Sequence, residues 1–144
     1  MNGKYRYEET MNDEILDMEE YQTAVDYFNA QNYKEAVLYY ELVLNRIEKA
    51  MQPGTSMEYW IKGQIGDCYM RMGELDKADT RIQEAKEGLE KKDEAEMLST
   101  IYQLEGEYYE MLEQYDTAII WNRIFGFRRC MASYKYIKTT ESWL

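Results

Sequence analysis

The chain has 144 residues, enough for one domain with its own buried core. With 45% hydrophobic and 31% charged residues it fits a folded globular protein and not a disordered one. It contains no histidine, which removes histidine zinc ligands, histidine-dependent triads and imidazole acid–base chemistry, and its net charge of −11 repels nucleic acid and anionic membrane.

In chain order, residues 1–11 carry little pattern and read as a flexible N-terminal segment. A first helix is expected over 12–30, ending at Gln31-Asn32. The second, 33–51, carries the stripe Ala36, Tyr40, Val43, Leu44, Ile47 at three- and four-residue steps. "QPGTS" at 52–56 holds the single proline, Pro53, and reads as a loop. Helices are then expected over 57–72 and 75–91, parted by Met72-Gly73-Glu74, the second with the stripe Ala78, Ile82, Ala85, Leu89. A break at Lys92-Asp93 precedes a helix over 94–112, and one at Glu113-Gln114 precedes a last helix over 115–137. That helix has the stripe Ile120, Ile124, Phe127, Met131, Tyr134 facing the preceding pair. Residues 139–144 form a tail. No period-two strand competes, and the short connections make neighbouring helices antiparallel.

Little here points to chemistry. Cys68 and Cys130 stand far apart without a CxxC and read as packing thiols of a reducing compartment. No apolar leader and no run of about 18 apolar residues appears, so a cytoplasmic protein without membrane insertion is expected. Both phosphate-cradling glycine motifs are missing. Carboxylate pairs such as Glu19-Glu20 or Glu107 with Glu110 read as a solvated acidic face. Neither catalysis, a cofactor nor a metal is expected. The charge is uneven: residues 1–114 hold 12 Lys/Arg against 26 Asp/Glu, whereas 115–144 hold five against two.

An internal repeat organises the chain. Ala36, Ala78 and Ala118 are spaced by 42 and 40 residues, and twelve positions before each lies Ala24, Gly66 or Gly106. Three after those come Tyr27, Tyr69 and Tyr109, and the second helix of each unit opens at Tyr33, Leu75 or Tyr115. Small residues on both partners let two antiparallel helices approach at the close end of the usual 8–10 Å. The frame resembles the tetratricopeptide repeat, most closely in Ile65-Gly66-x2-Tyr69 followed by Ala78-x3-Ile82. The resemblance implies an all-α solenoid of three antiparallel helical hairpins in a right-handed superhelical stack. The units would fall at about 17–52, 57–92 and 94–137 within a helical domain over 12–138. Glu105, Asn122 and the missing closing proline depart from the family pattern, and the units are longer than the common 34 residues.

The resemblance also implies a non-enzymatic adaptor or scaffold with a concave groove. Its groove positions fall on Met18, Tyr21, Val25 and Phe28, then on Trp60, Gly63, Asp67, Met70 and Arg71, then on Gln103, Glu107, Glu110 and Met111. Where some members of that family grip a partner's terminal carboxylate, this chain has Tyr21 and Val25. The expected occupant is instead a basic or amphipathic helix or strand of a protein partner. The alternative that Tyr21 and Trp60 simply cover the core stays open. The stretch 121–138, "WNRIFGFRRCMASYKYIK", mixes aromatic and cationic residues. Trp121, Phe125, Arg128, Arg129 and Trp143 read as a C-terminal interface for a partner subunit or a second copy. A structural subunit docked through that end is thus a second expectation, and a small acidic chaperone for an apolar segment a third.

Overall fold

The computed structural model describes residues 14–50 and 54–125, and every regular element within them is an α-helix. Residues 14–16 are helical, and after them come α1 Glu19–Asn29, α2 Tyr33–Ala50, α3 Ser56–Arg71, α4 Leu75–Lys92 and α5 Ala95–Phe125. The chain divides into two compact units, Met1–Leu104 and Glu105–Leu144.

The first unit is built from two helical hairpins. α1 packs on α2, α3 packs on α4, and α2 against α3 joins the pairs. The two hairpin turns are the same structure, 42 residues apart. At the end of α1 the Asn32 amide donates to the Tyr27 carbonyl (2.8 Å) and the Gln31 amide to Phe28 (3.0 Å). At the end of α3 Glu74 donates to Tyr69 (2.9 Å) and Gly73 to Met70 (3.0 Å). Both are Schellman closures, which need a left-handed residue after the helix. Gln31 (φ 64°) and Gly73 (φ 80°) supply it. The next helix then opens identically, Ala36 bonding back to Asn32 and Ala78 to Glu74, each at 3.0 Å.

Gln31 holds this conformation against its own Cβ, which costs about 1 kcal/mol where glycine pays nothing. Gln31→Gly is therefore expected to stabilise the first unit by about 0.5–1 kcal/mol, the larger freedom of glycine in the unfolded chain offsetting part of the gain. Urea unfolding followed by circular dichroism checks it; a fall in the midpoint would mean that the turn tolerates glutamine without strain.

α3 begins with a cap written in the sequence. Thr55 Oγ1 accepts from the Glu58 amide at 3.3 Å, and the Glu58 carboxylate accepts from the Gly54 amide at 3.3 Å. This reciprocal arrangement satisfies donors that a helix start leaves free.

The core follows the predicted stripes. Ala36, Tyr40, Val43, Leu44 and Ile47 of α2 are buried together with Ala24 of α1 and with Ile61, Ile65 and Cys68 of α3. Ala78, Ile82, Ala85 and Leu89 of α4 are buried as well. The α3–α4 crossing is very close. A Cβ added to Gly66 would lie 2.8 Å from Ile82 Cγ1 and 3.3 Å from the Ala78 carbonyl oxygen, and one added to Gly88 would overlap the Tyr59 ring.

Two expected boundaries are wrong. The helix expected over 12–30 is interrupted: residues 14–16 are helical, Asp17 turns and Met18 is extended (ψ 136°). α1 starts instead at Glu19, where Glu19 and Glu20 complement the positive end of the helix dipole. More consequentially, the break at Glu113-Gln114 does not exist, because α5 runs unbroken through it. Residues 110–114, Glu-Met-Leu-Glu-Gln, are all strong helix formers with no glycine, asparagine or proline, so propagation wins over turning. Gly106 and Ala118 therefore lie on one helix, about 18 Å apart along its axis, not face to face across a hairpin. Gly106 is exposed with nothing near a notional Cβ, and Tyr109 is 55% exposed. The segments 1–11, 126–138 and 139–144 lie outside the described residues.

Candidate functional site

The predicted groove positions do not share one environment. Tyr21 and Trp60 are half-buried and packed against the core, as is Met18. Tyr21 meets Tyr40 edge-on, ring centroids 6.1 Å apart. Val25 is half-buried. Met70 is 3% exposed and Met111 5%, so neither offers a surface to a partner. Gly63 is filled from the other side, since a Cβ there would collide with Ile101. Gln103, Glu107 and Glu110 are exposed on α5. Of the apolar side chains expected to hold a ligand, Met70 and Met111 are buried, while Met18, Tyr21, Phe28 and Trp60 pack against the core and keep part of their surface exposed.

Three predicted residues do come together. Arg71, in the last turn of α3, is bound to Asp67 one turn back at 2.9 Å. Its guanidinium also lies 5.5 Å from the Phe28 ring centroid and 5.7 Å from that of Tyr33. Phe28 and Tyr33 meet edge-on at 5.4 Å. The cluster ties the turn of the first hairpin to the end of α3. A guanidinium stacked on rings and paired with a carboxylate is a structural clasp worth on the order of 1 kcal/mol at this exposure.

A depression of about 600 Å³ lies elsewhere, between α2, α3 and α4. Leu38 and Leu42 of α2 enter it and are 57% and 49% exposed. Both of its cations are ion-paired: Arg81 reaches Glu41 at 2.7 Å and Glu84 at 3.6 Å, and Lys62 reaches Glu84 at 3.0 Å and Glu58 at 3.6 Å. Burial alone pulls the Lys62 ammonium down, but the hydrogen bond and charge of Glu84, with Glu58 behind it, outweigh that and leave it raised. The depression is a polar seam closed by ion pairs. Leu38 and Leu42 were legible as an i, i+4 pair off the buried stripe of α2.

The second unit carries a different feature. Ile119, Ile120 and Ile124 are 39%, 53% and 66% exposed near the end of α5. Ile120 and Ile124, expected to pack on the preceding helices, are exposed instead, since no hairpin forms at 113–114, and Phe127, Met131 and Tyr134 of the same stripe lie outside the described residues. Of the other residues expected to form the C-terminal interface, Arg128, Arg129 and Trp143 lie outside the described residues, as do the side chains of Trp121 and Phe125.

Cys68 is buried and free, and Cys130 lies outside the described residues. Burial, then the neighbouring Asp67 carboxylate, pushes the Cys68 thiol up to about 12 from 9.0. It is a packing thiol, not a nucleophile. A raised thiol pKa contributes stability that is present below pH 9.0 and lost as pH rises toward 12, where the unfolded chain ionises and the folded one does not. In a Cys130→Ser background, native protein at pH 8 should resist a thiol reagent that labels it promptly in urea. The urea midpoint should fall between pH 8 and pH 10.5, and fall less in Cys68→Ala. Fast labelling of the native state would refute the buried assignment.

No group of side chains suited to hold a metal ion occurs among the described residues, and none of the described helices is long and apolar enough to cross a membrane. Comparison with protein-family models, curated proteins and solved structures finds no match to this chain.

Proposed function

We propose that this chain is a non-enzymatic protein–protein interaction module, an adaptor or a subunit of a larger assembly, which docks through the C-terminal part of α5. Two tetratricopeptide-like hairpins serve as its scaffold. The observation that carries this reading is the row of exposed isoleucines at 119, 120 and 124. Single exposed apolar residues are ordinary, but adjacent large ones on one helix mark surfaces that another protein covers. The repeated Schellman turns and the small residues at 24/36 and 66/78 support the tetratricopeptide-like reading of the hairpins. A concave groove receives less support, because Tyr21 and Trp60 pack on the core.

Tagged chain incubated with native extract separates the two placements. Ile120→Glu/Ile124→Glu should lose the bound partner while the helical circular dichroism stays intact. Tyr21→Ala/Trp60→Ala should be less stable yet still recover the partner at low temperature. Retention by the isoleucine variant with loss by the aromatic one would return the site to the groove.

A further inference from the structure

Within the second unit α5 has two unlike sides. Tyr108, Met111 and Ala118 are buried on one. Gly106, Tyr109, Glu113, Thr117, Ile120 and Ile124 follow one another at steps of three and four residues and so share the other face. On this second face Tyr109, Ile120 and Ile124 are 55%, 53% and 66% exposed, and Gly106 leaves a notch with nothing within 4 Å of a notional Cβ. A helix with one side buried and large apolar residues exposed on the opposite one offers that second side to a partner.

The charges on and beside this face say what covers it. Glu113 lies on it, Glu107, Glu110 and Asp116 lie beside it, and all four are exposed. Residues 105–125 hold five acidic side chains, with Arg123 as their one cation. The same face of a second copy would bring the same carboxylates against them, and nucleic acid would bring phosphates. We propose that this face of α5 docks an amphipathic helix of another protein, one that carries lysine or arginine beside its apolar row. A large apolar residue of that helix enters the Gly106 notch, where the two backbones approach most closely. Tyr109, one turn further on, and Ile120 and Ile124, about 21 and 27 Å along the axis, serve as anchors, and the carboxylates pair with the partner's cations. The assignment rests on α5 being the docking element and specifies the chemistry of its partner.

The probe is a synthetic helix about three heptads long, with leucine at its a and d positions and lysine at e and g; a second peptide has glutamate at e and g. Titrated into the full chain, the lysine peptide should bind saturably with Kd on the order of 10 μM, weakening as salt rises. Ile120→Glu/Ile124→Glu and Gly106→Leu should each weaken it at least about tenfold. The first of these adds negative charge, so a loss there cannot be a loss of general attraction. Equal binding of both peptides, undiminished binding to the isoleucine variant, or no saturation below about 1 mM would each overturn the proposal. So would sedimentation showing that the chain self-associates through these isoleucines. If extract partners are lost from the isoleucine variant while the lysine peptide fails, docking through α5 stands and the assigned chemistry falls. If extract partners are retained as well, both fall.

Discussion

Ile65→Ala should destabilise the first unit by about 2–5 kcal/mol, the range for emptying a fully packed aliphatic site. Ile65 is 0% exposed and belongs to the cluster that α3 shares with α1 and α2. Truncation loses the transfer free energy of the removed carbons and leaves a void that rigid helices close only in part. Since single domains are stable by about 5–15 kcal/mol, this one change removes a large share of the total. The urea midpoint should drop with the slope unchanged, which marks a change in stability and not in compactness. Leu38→Ala, of similar chemistry on the same unit, should move it by no more than about 0.5 kcal/mol, because Leu38 is 57% exposed. A loss below about 1 kcal/mol at Ile65 would mean that the joint between the hairpins is loosely packed.

Gly66 and Gly106 hold the same place in the repeat frame, and substitution should move stability in opposite directions. Gly66→Leu should cost about 3 kcal/mol. Its first added atom would lie 3.3 Å from the Ala78 carbonyl oxygen, which can retreat only if α3 and α4 separate. Ala78→Leu attacks the same crossing from α4 and should cost about 1–3 kcal/mol. Gly106→Ala should instead stabilise by about 0.5–1 kcal/mol, the ordinary gain at an open helical position. Parallel melts of the three variants decide the matter. Destabilisation by Gly106→Ala would reveal a neighbour pressed against that face. Tolerance of Gly66→Leu would dissolve the tight crossing on which the hairpins depend.

Much of the first unit was legible because its signals are local. Stripes at three- and four-residue steps marked α2 and α4, the Met72-Gly73-Glu74 turn ended α3, and the small residues at 24, 36, 66 and 78 are buried as their spacing requires. The same reading failed at Glu113-Gln114. A repeat frame says which residues correspond, not whether a turn forms, and a run of strong helix formers kept α5 unbroken. The choice between groove and core cover at Tyr21 and Trp60 was not legible for a related reason: an aromatic on a helix covers the core or greets a ligand with the same periodicity.

The amino-acid sequence by itself thus determined an acidic, histidine-free, all-helical chain whose first two hairpins repeat every 42 residues, since helix periodicity and left-handed turn closure act over a few neighbouring positions. Only the tertiary structure decided that Met70 is buried, that Tyr21 and Trp60 lean half-buried on the core, and that Gly106, Tyr109, Ile120 and Ile124 are exposed. Which side of a helix is covered depends on where distant helices end up, and that is settled by packing.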